Sequence, residues 1–280
     1  MEASHATALR PTTGFARLFL WQLGVTLLVV GFPVFVLSGD TDTYFAWTIS
    51  PALTAAFLGA NYWGSMVLVF LCAREPGWAA ARVTVPGIFV AGTLLLLATL
   101  LHIDRFAMDT VRGWLWVVLY AGLPPAVALL VAVQRRVPGV DPPRVAPLSA
   151  PTRLVLGGQA AVLLGLGGAL FIAPGETASV WPWSLTDLTA RATAAWMLAI
   201  GTTVVVSVRE NDWTRLTGPM AGYAAIAVLQ LAALARYADT PDGDELSTWV
   251  YLAFLISMLA VGVQGVTRSI ASKDRVSAAA

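Results

Sequence analysis

Charge spacing is the strongest constraint on this chain. Its charged residues sit in short stretches separated by apolar runs of about 20 residues, the length at which an α-helix crosses roughly 30 Å of hydrocarbon. Of the 280 residues 58% are apolar and 12% charged, where a soluble domain carries about 25% charge. A chain with so little charge cannot cover a soluble surface, and sweeping the charges to the ends of apolar runs is what a lipid-facing surface requires. Eight runs qualify: 18–38, 51–73, 86–101, 113–133, 154–173, 188–208, 218–235 and 248–266. The first follows Arg10 and Arg17, but it is too long for the apolar region of a signal peptide and no small-x-small site follows it. It is expected to be an uncleaved span.

Orientation follows from Lys and Arg, which are retained on the cytoplasmic side. The N-terminal segment, the connections 74–85, 134–153 and 209–217, and the C-terminal tail hold thirteen of the seventeen cations. The opposite set has Arg105, Arg112 and Arg236, with Arg191 just inside the sixth run. Both termini are therefore expected in the cytoplasm. Sixteen arginines against one lysine, in an Ala-, Val-, Gly- and Leu-rich background, suggest a high-GC bacterial genome and hence a bacterial cytoplasmic membrane.

Sliding the chain on itself by 136 residues aligns Arg17, Leu18, Leu20, Leu27, Leu28, Gly31, Phe35, Gly39, Thr41 and Trp47 with Arg153, Leu154, Leu156, Leu163, Leu164, Gly167, Phe171, Gly175, Thr177 and Trp183. Arg, Gly and Trp are not residues that apolar bias supplies. At an offset of 135 the match resumes, with Leu53-Thr54-Ala55 on Leu188-Thr189-Ala190 and Arg74-Glu75-x-x-Trp78 on Arg209-Glu210-x-x-Trp213. Each unit holds four spans, an even number, so both copies enter the membrane in the same direction. The expected fold is an all-α integral membrane protein of eight transmembrane helices, arranged as two parallel four-helix repeats. The expected organisation is a cytoplasmic tail (1–16), a first repeat (17–134), a cytoplasmic linker (135–152), a second repeat (153–268) and a cytoplasmic tail (269–280). Pro138, Pro142, Pro143, Pro147 and Pro151 keep the linker from forming helix or central strand.

The duplication sorts the candidate sites. Arg74, Glu75 and Trp78, and their matches Arg209, Glu210 and Trp213, read as interface residues in which Arg meets headgroups, Trp joins the aromatic belt, and Arg and Trp stack at i and i+4. The other reading makes these edges a docking surface. Trp47 and Trp183, in the outer loops, read as belt residues or as a platform over an outward-facing cleft. Arg191, whose match is the apolar Ala56, either snorkels and pairs with Asp187 one turn earlier or draws anions into a vestibule. His102 and Asp104 close the third span as an acid–base pair or as a solvated helix end. Gln22, Asn61, Gln159, Thr193, Thr202, Thr203, Gln230 and Ser257 are expected to bond between helices, and Gly157-Gly158 and Gly165-x-Gly167-Gly168 to allow close backbone approach.

Several classes are disfavoured. A net charge of +1 offers no basic face for nucleic acid. The single cysteine, Cys72, permits neither a disulfide nor a Cys metal cluster and reads as an apolar filler. His102 and His5 are the only histidines, too few and too far apart for bis-His haem ligation between spans. Phosphate-loop, zinc-protease and paired Asp-rich motifs are missing, so neither metal nor cofactor is expected. No Asp, Glu, Lys or His lies at mid-membrane, which weakens proton-coupled antiport.

The stretches Trp181-Pro182-Trp183-x-Leu185-Thr186-x-Leu188-Thr189-Ala190-Arg191 and Leu101-His102-x-Asp104-Arg105-Phe106, in this Ala- and Arg-rich background, resemble a group of polytopic membrane proteins from actinobacteria. The resemblance implies the architecture and no catalytic residue. Three readings of function follow. The first is a small permease or lipid-handling protein with an outward-facing site between its repeats. The second is a non-catalytic scaffold or accessory subunit, whose partners are the lipid bilayer and a membrane or cytoplasmic protein. The third is a membrane-surface enzyme, which requires His102, Asp104 and the outer acids to converge.

Overall fold

A computed structural model describes residues 8–278, so His5 and the extreme ends of both expected tails lie outside the described residues. Eight helices are long and apolar enough to cross a membrane: α1 Gly14–Phe35, α2 Ala52–Arg74, α3 Trp78–Leu101, α4 Val111–Arg135, α5 Ala150–Ile172, α6 Asp187–Glu210, α7 Thr217–Arg236 and α8 Leu246–Ala278. Hydroxyl caps begin half of them. Thr13, Thr110 and Ser149 accept the N–H of Ala16, Gly113 and Thr152, while Thr186 and Thr189 form a reciprocal capping box at α6.

The helices form two layers. Half to two-thirds of the most apolar stretch of α2, α3, α6 and α7 is buried, against a third or less for α1, α4, α5 and α8. Within each hairpin, α1 packs on α2, α3 on α4, α5 on α6 and α7 on α8. The inner helices pair across the chain instead, α2 on α7 and α3 on α6, so the first and last four helices interlock rather than stand as two bundles.

Two boundaries differ from expectation. α3 starts at Trp78 rather than residue 86, through the short helix Trp78–Ala81 and the 3-10 turn Arg82–Thr84. Arg82 interrupts the apolar run in sequence, but in space its charge meets Asp141 at 2.7 Å and Glu210 at 2.9 Å. α8 continues to Ala278, because a helix leaving hydrocarbon no longer needs apolar residues, and Lys273 on its extension pairs with Glu75 at 2.5 Å. The expected tail from residue 269 is thus helical as far as it is described.

The expected glycine contacts are also corrected. A Cβ at Gly157, Gly158, Gly165 or Gly168 would meet nothing within 4 Å, and of that group only Gly167 packs closely, on Met197 and Leu198. Close approach occurs on the inner helices, where Gly64 faces the backbone nitrogen of Ile226 at 2.7 Å from an ideal Cβ, and on α8, where Gly262 faces that of Ala224 at 2.8 Å. Cys72 is buried against Gly218, as a filler should be.

Candidate functional site

At the end of the bundle away from the cation-rich connections, two loops fold inward. Phe45 and Trp47 from the first loop, and Trp181 and Trp183 from the second, are all buried. Trp47 packs on Phe45, Phe106 and Trp116 with ring centroids 4.7, 5.0 and 4.8 Å away. Trp183 packs on Trp181 and Tyr251 at 5.2 and 5.6 Å, and its indole N–H donates to the Thr54 hydroxyl at 2.9 Å. Neither Trp47 nor Trp183 is a belt residue. Rings this large bury more area against protein than at a headgroup boundary, and one half donates a hydrogen bond into the other.

Arg191 does not snorkel into a pair with Asp187, which is exposed and forms no ion pair with it among the described residues. Its Nε donates to the Phe171 carbonyl at 3.1 Å and its Nη1 to His102 Nε2 at 2.7 Å. Arginine can only donate, so Nε2 is the acceptor and His102 is the neutral Nδ1–H tautomer. Asp104 points away, 72% exposed and 3.2 Å from Arg105. The acid–base pair read from the sequence is not assembled.

Burial, reinforced by the Arg191 charge, holds the His102 pKa below its ordinary 6.5. A depressed histidine leaves the folded state with fewer bound protons than the unfolded state below that value. Stability from the His102–Arg191 contact is complete above about pH 6.5 and is lost as pH falls through the lower folded value. Thermal unfolding of the wild type is expected to show this acid-side loss and that of His102→Gln to lack it. Parallel pH profiles for the two proteins would exclude the contact.

Two cavities lie among the spanning helices. The first, about 70 Å³, lies between α1, α2, α3, α4, α6 and α7 and is lined by side chains such as Leu27, Tyr62, Ala91, Leu119 and Trp196. The second, about 130 Å³, lies nearer the loop end between α2, α5, α6, α7 and α8, beneath Trp181. Ile200 and Ile226 border both. Among the described residues, no charged side chain lines either one. The first cavity lies where α1 and α4 touch only sparsely, and Gln134 ties these helices at the cation-rich end by accepting from Thr13 at 3.0 Å and donating to the Pro11 carbonyl at 2.7 Å.

Half of the residues expected to bond between helices do so. Gln230 donates to Asn61 at 3.1 Å and accepts from Tyr251 at 2.9 Å, while Gln159 donates to Ser257 at 2.9 Å and accepts from Tyr223 at 3.0 Å. Thr202 and Thr203 bond within their own helix instead, Gln22 is exposed, and Thr193 is buried without a partner.

The cation-rich end corrects the Arg-Glu-x-x-Trp reading. Trp78 and Trp213 are buried rather than set in a belt, and Arg74 stacks on Trp21 at 5.6 Å instead of on Trp78. Arg209 is exposed. Glu210 is the hub of a buried ion network: it meets Arg215, 4% exposed, at 2.5 Å and Arg82 at 2.9 Å. Arg215 also donates to the Pro142 carbonyl. Asp212, fully buried, accepts the Val145 N–H at 3.0 Å, and Asn211 accepts that of Leu148 at 3.1 Å. The Pro-rich segment is therefore strapped to the bundle. In the sequence Arg82 and Arg215 stand out only as cations that set orientation, and nothing marks Asp141 or Asp212. The available signal was the excess of cations over acids at that end, which favours an ion pair for any carboxylate buried there.

These features define a class: eight helices long and apolar enough to cross a membrane fit a multi-pass membrane protein. No protein family, curated protein or solved structure matches the chain, so what it does must be argued from its geometry.

Proposed function

We propose that this chain is a lipid-handling protein of a bacterial cytoplasmic membrane, which takes an apolar acyl or isoprenoid chain into its interior. The observation that carries the reading is the pair of uncharged cavities among the spanning helices, separated by Ile200 and Ile226. An ion or polar solute entering there would lose its hydration with little to replace it, at a cost of several kcal/mol or more. An apolar chain loses nothing and gains dispersion contacts, as apolar ligands do in dry cavities. The sparse α1–α4 contact supplies a lateral route from the bilayer.

In the same reading both termini face the cytoplasm and the halves are parallel repeats. The cation distribution supports the first point. The second is supported by the packing of α2 on α7, which a two-fold exchange of halves carries onto α6 on α3.

A photoactivatable fatty acid supplied to membranes tests the reading. It is expected to label cavity residues such as Leu27 and Leu119, and Ala91→Trp, which fills the first cavity, is expected to abolish that labelling. Val118→Trp, on an exposed face, should leave it unchanged. Labelling confined to exposed helix faces in the wild type would overturn the proposal.

A further inference from the structure

A third cavity, about 540 Å³, opens at the cation-rich end between the Pro-rich segment, the start of α5 and the last turns of α8. Arg268 and Arg275 project into it, with Gln264, Ser149 and Ser272 on its walls, and no carboxylate is among its described lining residues. At this end the buried Arg215 has an acidic partner in Glu210, and the half-buried Arg82 and Lys273 have theirs in Glu210 with Asp141 and in Glu75. Arg268 and Arg275 have none among the described residues. Arg275 is steered by its own helix, its Nη2 reaching Ser272 Oγ at 3.3 Å and its Nε the Ala271 carbonyl at 3.2 Å. That engages two of the five donors of a guanidinium and leaves the rest facing the cleft.

We infer that this cleft binds a phosphate-bearing anion. Two guanidiniums without carboxylates, hydroxyl and amide donors beside them, and the positive end of the α5 dipole behind Ser149 form the donor set that a phosphate group takes. Depth indicates the source. Arg268 lies one turn beyond Gln264 on α8, just past the apolar stretch, which is the level of lipid headgroups, and basic pockets between spans are where anionic headgroups settle. The site is independent of the apolar-chain reading, since it shares no lining residue with the two apolar cavities.

The test compares retention of phosphatidylglycerol and phosphatidylcholine by the intact protein in native mass spectrometry, after release from nanodiscs holding both lipids. The wild type is expected to favour the anionic lipid by about 30-fold, the effect of two arginines near a charged surface. Arg268→Gln with Arg275→Gln should reduce this to near parity, whereas Arg209→Gln, an exposed arginine outside the cleft, should not. In a second arm, inorganic phosphate is added to the delipidated protein in detergent, with chloride at matched ionic strength. Thermal stabilisation by phosphate that the double variant lacks supports the same site with a soluble source. Equal lipid retention by wild type and double variant, together with no phosphate effect, would overturn the inference. Both substitutions are on exposed side chains, so folding is not at stake, and circular dichroism verifies this.

Discussion

Glu210→Ala is expected to destabilise the protein by about 3–5 kcal/mol, the penalty for stranding a buried charge that has lost its partner. Glu210 stands between Arg215 and Arg82, with Arg144 at 4.0 Å, and the alanine would leave Arg215 almost fully buried beside only Asp212, whose closest approach is 4.0 Å. The loss should appear as a large drop in the midpoint of thermal unfolding in detergent. It should also release the strap, because Arg215 holds the Pro142 carbonyl, so proteolysis between residues 137 and 149 should accelerate. Arg209→Ala, one residue earlier but exposed, should change neither. Replacing both partners, Glu210→Ala with Arg215→Met, is expected to recover part of the loss, since an apolar pair leaves no naked charge. If Glu210→Ala unfolds like the wild type, the network is not a structural hub.

The second large effect is expected at Gly64. An ideal Cβ there would stand 2.7 Å from the Ile226 nitrogen and 2.9 Å from its Cα, and backbone cannot rotate out of the way. Gly64→Leu must therefore push α2 off α7, one of the two helix pairs that join the halves, and is expected to prevent recovery of folded protein. Overpacking alone costs about 1–3 kcal/mol and forced separation of helices costs more. Gly157→Ala provides the contrast. Its surroundings are open, so the change should be neutral or stabilise the helix by up to about 1 kcal/mol. Size-exclusion profiles and denaturant unfolding distinguish the two variants. Normal yield from Gly64→Leu would refute the close α2–α7 approach.

The eight spans were legible in the sequence because the need for apolar residues in hydrocarbon is local and continuous: a run either is long enough or it is not. Boundaries went astray where that need lapses. Arg82 interrupts an apolar run in the sequence but lies within α3 in space, since Glu210 and Asp141 neutralise it from far along the chain. α8 outlasts its apolar stretch for the same reason, with Glu75 holding Lys273.

The candidate sites were less legible. Arg191 and His102 each stood out where the halves differ, but their hydrogen bond spans 89 positions and no spacing rule predicts it. Trp47 and Trp183 were visible as a repeated pair at a membrane boundary, a position that suits a belt residue as well as a buried plug. Whether the loops fold inward depends on the room left between α2, α4, α6 and α8, which is a property of packing.

The spacing of charges by itself determined that this chain forms eight apolar helices and where each lies along the sequence, because hydrocarbon tests every residue of a span independently. Only the tertiary structure decided which helices are inner, which glycines touch backbone, that Glu210 is a buried hub, and where cavities remain. Those outcomes depend on pairs of side chains meeting across the bundle, and every apolar face is equally at home against lipid or protein until a neighbour is in place.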